Sequence, residues 1–300
     1  MTCNEKHLWL IDTLYRAKRL TLKEISHKWR DYINGNIDIE LPRSTFKRWV
    51  EAIKDEFNLY IDCDRSTYEY YILNPELIEE DKLKKWILDT FATSNALTEN
   101  MSLSDRILVE KIPSGIEFLT TIINAIKENK KIEIEYLQFG SDYSSTFPIE
   151  PYCLKLFENR WYVLGKNNWA EMKIYCLDRM KSVTALDERF KLPPDFDAES
   201  YFMPYFGIIV DSAINPQLIR IRAYGNQKYY LRTLPLHESQ DLIEETEEYA
   251  DFDFYMSPTL DLQYKLLSFG SSVEVLKPEN LRNDMKSWVK EMSDMYKIKE

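Results

Sequence analysis

The chain has 300 residues, 44% hydrophobic, 30% charged and 14% aromatic, with only seven glycines and 12 prolines. That composition excludes collagen-like, low-complexity and disordered chains and predicts a folded protein of two or more domains. Its 39 basic and 50 acidic residues leave a net charge of −11, an adverse total for a nucleic-acid binder, so where the charge sits matters more than its sum.

The first 74 residues show three helical patterns and a hairpin. Leu8, Ile11, Leu14 and Tyr15 share one face of the first helix. Thr21 is placed to cap the second, whose stripe is Leu22, Ile25, Trp29 and Ile33. A polar loop at Asn34-Gly35-Asn36 leads to a third helix starting near Pro42 or Arg43. That helix turns Phe46, Val50, Ile53 and Phe57 inward, with Trp49 flanking. Two aromatic-rich runs, 59–63 and 68–72, surround a polar turn at 64–67 and predict a β-hairpin. Three helices followed by a hairpin describe a winged helix-turn-helix over 1–74.

Residues 75–130 read as a helical linker, with Leu83, Trp86, Ile87, Phe91 and Leu97 in one stripe and Leu119, Ile122, Ile123 and Ile126 in another. Pro113-Ser114-Gly115 separates the two. Strand patterns follow at 131–138, 147–157, 160–165, 172–177 and 182–186, predicting a small β-barrel over 131–189. Beyond Pro193-Pro194 the order β-α-β-β-α-β and a last helix predicts a ferredoxin-like domain over 190–300. The expected class is therefore α+β and multidomain.

Residues 1–74 hold 12 basic and 12 acidic groups, whereas 190–300 hold 12 and 19, so the acid excess is C-terminal and the head is free to carry a basic patch. The third helix opens with Arg43, Ser44, Thr45, Lys47 and Arg48 around its buried positions. Cations and hydroxyls in a first turn suit contact with base edges and phosphates of duplex DNA. A solvated helix face looks the same in isolation; the preceding helix and the hairpin favour DNA. Arg65 at the hairpin tip is either a wing contact or an ordinary turn residue.

The β-rich segment carries Trp161-Tyr162-Val163, Leu177-Asp178-Arg179-Met180 and Tyr136, and the tail carries 234–240 and 273–279. In these landmarks, in this order, the chain resembles the WYL-domain transcriptional regulators over essentially its whole length. The resemblance implies a winged helix-turn-helix, a helical linker, an Sm-like WYL barrel and a C-terminal WCX extension. It implies a one-component regulator, a homodimer on a double-stranded operator, whose barrel senses a nucleotide or single-stranded nucleic-acid effector. The effector candidates are Tyr136, Ser145, Arg160, Tyr162, Tyr175 and Arg179. Tyrosines can stack on bases and an arginine fork matches phosphate oxygens. Equally, one ring of the Trp161–Tyr162 pair must face the core, and Arg179 could pair with Asp178. Family members often carry basic residues where this chain has Phe147 and Pro148, which points to a smaller or less charged effector, or to none.

Four cysteines (Cys3, Cys63, Cys153, Cys176) and three histidines (His7, His27, His237) are scattered, with no C-x-x-C, so neither a disulfide framework nor a metal is expected. There is no G-x-S-x-G, Walker-type loop or G-x-G-x-x-G, and the chain is expected to be neither an enzyme nor a cofactor carrier. No apolar run reaches the ~20 residues of a membrane span, and the charged N-terminal stretch does not describe a signal peptide, which together predict a cytoplasmic protein. Two other readings remain: an accessory protein that binds single strands through the barrel and acts on a partner enzyme, and an RNA-binding Sm-like module.

Overall fold

A computed structural model describes residues 3–33, 40–108 and 115–297; the Asn34-Gly35-Asn36 loop and Pro113-Ser114 lie outside the described residues. The chain is a mixed α+β protein with three antiparallel sheets, and it divides into two compact units, Met1–Glu110 and Lys111–Glu300. The division falls within 75–130, so the helices of that stretch are shared between the units. No helix among the described residues is long and apolar enough to cross a membrane.

In the first unit, α1 (Cys3–Ala17) is followed by a two-residue strand β1 (Leu20–Thr21), then α2 (Leu22–Tyr32) and α3 (Arg43–Phe57). Thr21 closes a capping box on α2. Its hydroxyl accepts the Glu24 N–H at 3.3 Å, and the Glu24 carboxylate accepts the Thr21 N–H at 2.8 Å. Pro42 precedes the first turn of α3, and Asn58 ends the helix in the left-handed region at φ 54°. Strands β2 (Ile61–Cys63) and β3 (Glu69–Ile72) form the hairpin, and β1 joins it in the order β1–β3–β2, a third strand too short to show in the sequence pattern. The helices α4 (Glu76–Glu80) and α5 (Lys82–Glu99) complete the unit.

The core of this unit is aromatic at its centre. Trp9 and Trp49 each meet Trp29 edge-on with ring centroids 4.8 Å apart, and Phe46 meets Tyr70 at 4.7 Å. Trp49 is thus a core residue rather than a flanking one. On α5, Leu88 is buried and Phe91 packs against the core, while Leu83 and Trp86 are exposed. The apolar stripe of α5 is wide, and spacing alone does not say which edge of it turns inward.

The described part of the second unit opens with Gly115 and α6 (Leu119–Glu128), which covers a five-stranded sheet. The strands are β4 (Lys130–Leu137), β5 (Ser144–Phe157), β6 (Arg160–Asn167), β7 (Met172–Cys176) and β8 (Met180–Arg189). They run in the order β7–β6–β5–β4–β8, so the last strand returns to pair with the first. Tyr162, Val163 and Leu164 are all buried in succession, which requires cover on both faces of β6. Tyr152 stacks on Phe190 at 5.7 Å and meets Phe196 edge-on at 5.1 Å, from the stretch leading to α7 (Ala198–Phe202).

The remaining elements are β9 (Gln217–Tyr224), α8 (Gln227–Thr233), β10 (Asp241–Glu245), β11 (Tyr249–Met256), α9 (Leu260–Ser268), β12 (Val273–Lys277) and α10 (Glu279–Met295). Their sheet has the order β10–β11–β9–β12. One face buries Ile219, Ile221, Phe252 and Phe254 with Leu231 and Leu262 of the helices. The alternate positions carry two bidentate ion pairs, Arg220–Asp253 and Arg222–Asp251, with N–O distances of 2.6 to 2.9 Å.

Candidate nucleic-acid and effector sites

Phe46, Trp49 and Ile53 anchor α3 in the core, and the 3.6-residue period then dictates what faces out. Arg43, Ser44, Lys47 and Arg48 are exposed, and Thr45 is half-buried. Lys47 and Arg48 have no carboxylate partner among the described residues, while Arg43 lies beside the Tyr70 hydroxyl. Neighbouring cations of the same unit are committed: Arg16 to Asp12 at 2.6 Å, and Arg19 to Asp64 at 3.1 Å.

The hairpin turn is built around Asp64. Its carboxylate accepts from the Ser66 N–H at 2.9 Å and the Ser66 hydroxyl at 2.6 Å, and its backbone carbonyl accepts the Tyr68 N–H at 2.7 Å. Those hydroxyl and amide donors, with Arg19, pull the Asp64 carboxyl down to about 2. Arg65 and Tyr68 are thereby left exposed at the tip, Tyr68 at φ 59°. Tyr68 was not among the residues expected here; an aromatic beside a polar four-residue turn was the available signal.

In the five-stranded sheet the expected effector residues fall into two groups. Tyr136 and Tyr175 meet edge-on at 5.3 Å, with Phe147 5.7 Å from Tyr175, and Ser145 is the exposed partner of Tyr136 across β4–β5. Arg179 lies over this group. Its guanidinium is 4.9 Å from the Tyr136 ring and 3.5 Å from the Phe139 ring, and it donates to the Leu137 carbonyl at 2.6 Å. The second group is Arg160, Tyr162, Cys176 and Asp178. Arg160 pairs with Asp178, which also accepts from the Cys176 thiol at 2.5 Å. The Tyr136 hydroxyl links the groups by accepting the Cys176 N–H at 3.3 Å.

Asp178 therefore goes to Arg160, and among the described residues the Arg179 guanidinium has the Leu137 carbonyl as its hydrogen-bond partner and two rings beside it. The three tyrosines are 7–8% exposed, so their flat faces are spent on packing. Burial pushes the phenols of Tyr162 and Tyr175 up to about 12, and raises those of Tyr136 and the Cys176 thiol. Phe139 and Tyr143, each 83% exposed, stand on either side of the Gly140-Ser141-Asp142 turn, and Trp169 between β6 and β7 is 74% exposed. Sequence reasoning passed over Phe139 and Tyr143, although an aromatic next to such a turn has no core to enter. Lys181 adds a cation 3.2 Å from the Ser144 hydroxyl.

Gly115 sets the position of the Leu177–Arg179 turn. It adopts φ +62°, and a Cβ there would come within 2.4 Å of the Leu177 carbonyl carbon and 2.6 Å of the Asp178 nitrogen. Only a hydrogen at that Cα permits the approach.

The family model described as WYL domain matches residues 117–185, and that described as WCX domain matches residues 215–293. No curated protein matches the chain. Among solved structures, the chain is similar to proteasome accessory factor B/C (PafBC) of Arthrobacter aurescens. That match has 15% identity and a TM-score of 0.36, and covers 95% of this chain and 46% of that one. It is also similar to a CRISPR Cas-related protein at 13% identity and a TM-score of 0.39, covering 97% and 85% of the two chains. The chain thus spans less than half the length of the first of these.

Proposed function

Since the chain belongs to the WYL-domain family, with a WYL domain followed by a WCX domain, we propose that it is a DNA-binding transcriptional regulator whose WYL domain senses an effector. On this reading residues 1–74 are a winged helix-turn-helix, 75–130 a linker, 131–189 an Sm-like barrel and 190–300 a ferredoxin-like WCX domain. The sheet orders β7–β6–β5–β4–β8 and β10–β11–β9–β12 support the last two assignments. The observation that carries the function is the outward row of Arg43, Lys47 and Arg48 on a helix held by an aromatic core. Three cations within two turns, none with a carboxylate partner among the described residues, suit a groove lined with phosphates.

A homodimer would present two such helices to half-sites about 34–36 Å apart. The effector is a nucleotide or short single strand. Its base stacks on Phe139 or Tyr143, and a phosphate takes the free edge of Arg179, with Ser145 and Lys181 beside it. Binding there shifts operator affinity only insofar as the effector prefers one arrangement of the heads.

Selection of bound duplexes from a random pool, with and without nucleotides, tests the reading. A palindromic consensus is expected, lost in the Lys47→Glu/Arg48→Glu variant and dependent on nucleotide in the native chain but not in Arg179→Gln. Duplex binding that survives the charge reversal, or binding confined to single strands, overturns it in favour of an accessory role.

A further inference from the structure

A groove of about 500 Å³ opens in the second unit between the β5–β6 turn and the helices α8 and α9. Its walls are Phe157, Phe206, Leu231, Leu236 and Phe269. Along the same groove Tyr230 and Leu234 are 66% and 77% exposed, an apolar surface that folding leaves in water.

The walls are fixed by polar bonds rather than by loose packing. Lys155 donates from Nζ to the Gly207 carbonyl at 2.6 Å, and one Asp261 oxygen accepts the Ile208 and Ile209 N–H groups at 2.7 Å each. Together they hold the stretch that carries Phe206 against β5 and α9. Gln240 accepts the Leu236 N–H at 3.0 Å and donates to the Leu231 carbonyl at 2.6 Å, fixing the opposite wall. A concavity of this size, apolar and already formed, is what a small-molecule site requires.

Its polar groups are few. Lys265 lines the groove with its ammonium 5.7 Å from the Phe269 ring centre, and it has no hydrogen-bond or ion-pair partner among the described residues. Gln227 offers a carboxamide, and Glu158 stands on the exposed β5–β6 turn, where its carboxylate is solvated. A half-buried lysine with no anion partner among the described residues, next to aromatic walls, is complementary to one negative charge on an apolar body. A polyphosphate would find no second cation and no guanidinium fork here.

We propose that this groove binds an amphipathic monocarboxylate, an aryl or branched alkyl acid whose body lies among the phenylalanines and whose carboxylate meets Lys265. The site is separate from the one assigned to the nucleotide effector and does not depend on DNA binding.

Binding of 4-phenylbutyrate, 4-phenylbutan-1-ol and 4-phenylbutylamine to the full chain, followed by ligand-observed NMR, tests the proposal. The acid should bind roughly tenfold more tightly than the alcohol, as expected for one charge-assisted hydrogen bond, with the amine weakest. Lys265→Gln should erase the preference of acid over alcohol while keeping the alcohol's affinity. Leu234→Asp changes an exposed residue and so leaves the fold intact; it should weaken the acid more than the alcohol. Equal affinities for acid and amine, a preference that survives Lys265→Gln, or no binding of any probe would each overturn the proposal. So would a chain whose self-association Leu234→Asp abolishes, since a second copy would then occupy the groove.

Discussion

Asp178 has a side chain only 8% exposed, and Arg160 is its one cationic partner among the described residues. Removing Arg160 leaves that carboxylate with a thiol and no cation. Arg160→Met should therefore cost about 1–3 kcal/mol, less than for a fully buried pair because Arg160 is itself 36% exposed. Arg179→Met removes one hydrogen bond to the Leu137 carbonyl and the guanidinium contacts with the Tyr136 and Phe139 rings, which the methionine thioether partly replaces, but no ion pair, so roughly 1 kcal/mol is expected. Chemical denaturation of both variants checks the order; a costlier Arg179 variant would reverse the assignment of the two arginines. Asp64 gives a second measurement at this scale. Its carboxyl is held at about 2 in the folded chain against an ordinary 3.8, so its contribution is complete above about pH 4 and fades as pH falls toward 2. An NMR titration of the side-chain carboxyl should show a midpoint near 2 in the native chain and a higher one in Ser66→Ala/Arg19→Ala, short of the ordinary value because the residue-66 N–H still donates. The hairpin turn was legible from residue type and neighbours. That Tyr136, Tyr162 and Tyr175 would have no free face was not. Alternation along one strand assumes a single buried face, whereas Tyr136 and Tyr175 close on each other and on Phe147 from separate strands.

The elements of the first unit follow from local chemistry. The Thr21–Glu24 capping box, the proline before α3 and the turn at 64–67 each act within a few residues, and the sequence pattern places them where they stand. α5 is different, because which edge of a wide apolar stripe turns inward is decided by the shape of α1, not by the helix itself. Gly115 is the case where an element-level role was hidden. In the sequence it looks like a helix breaker, yet its missing side chain lets the chain before α6 press against the Leu177–Arg179 turn. Gly115→Ala should thus cost about 2–5 kcal/mol, from the left-handed backbone and the overlap together. Because the displaced turn carries Asp178 and Arg179, the substitution should also disturb chemical shifts in β7 and β8 while those of α1–α3 stay put. An alanine variant as stable as the native chain would mean that the turn yields freely.

Across the molecule the charges are arranged so that little of the acid excess falls on the head: residues 1–74 are balanced, and 190–300 carry 12 basic against 19 acidic groups. In the acidic portion most cations are consumed internally, as in the Arg220–Asp253 and Arg222–Asp251 pairs. Lys155 is an exception within the second unit, because its ammonium meets a carbonyl and the Phe202 ring at 4.1 Å instead of a carboxylate. Burial brings it down to about 8 from an ordinary 10.5. The sign of the consequence is fixed by linkage. Between about pH 8 and 10.5 the unfolded chain still holds a proton that the folded chain has released, so this group makes stability rise with pH across that window. Below about 8 both states hold the proton and the burial cost of the charge is constant. Lys155→Met lacks the titration altogether. Its stability relative to the native chain should be highest near pH 7 and should decline steadily as pH is raised to 10, with tyrosine ionisation common to both and cancelling in the difference. Melting both chains side by side at half-unit steps reads that difference directly. A constant offset from pH 7 to 10 would mean that Lys155 stays charged in the fold, and that its bond to Gly207 holds the Phe206 stretch in the same way at every pH.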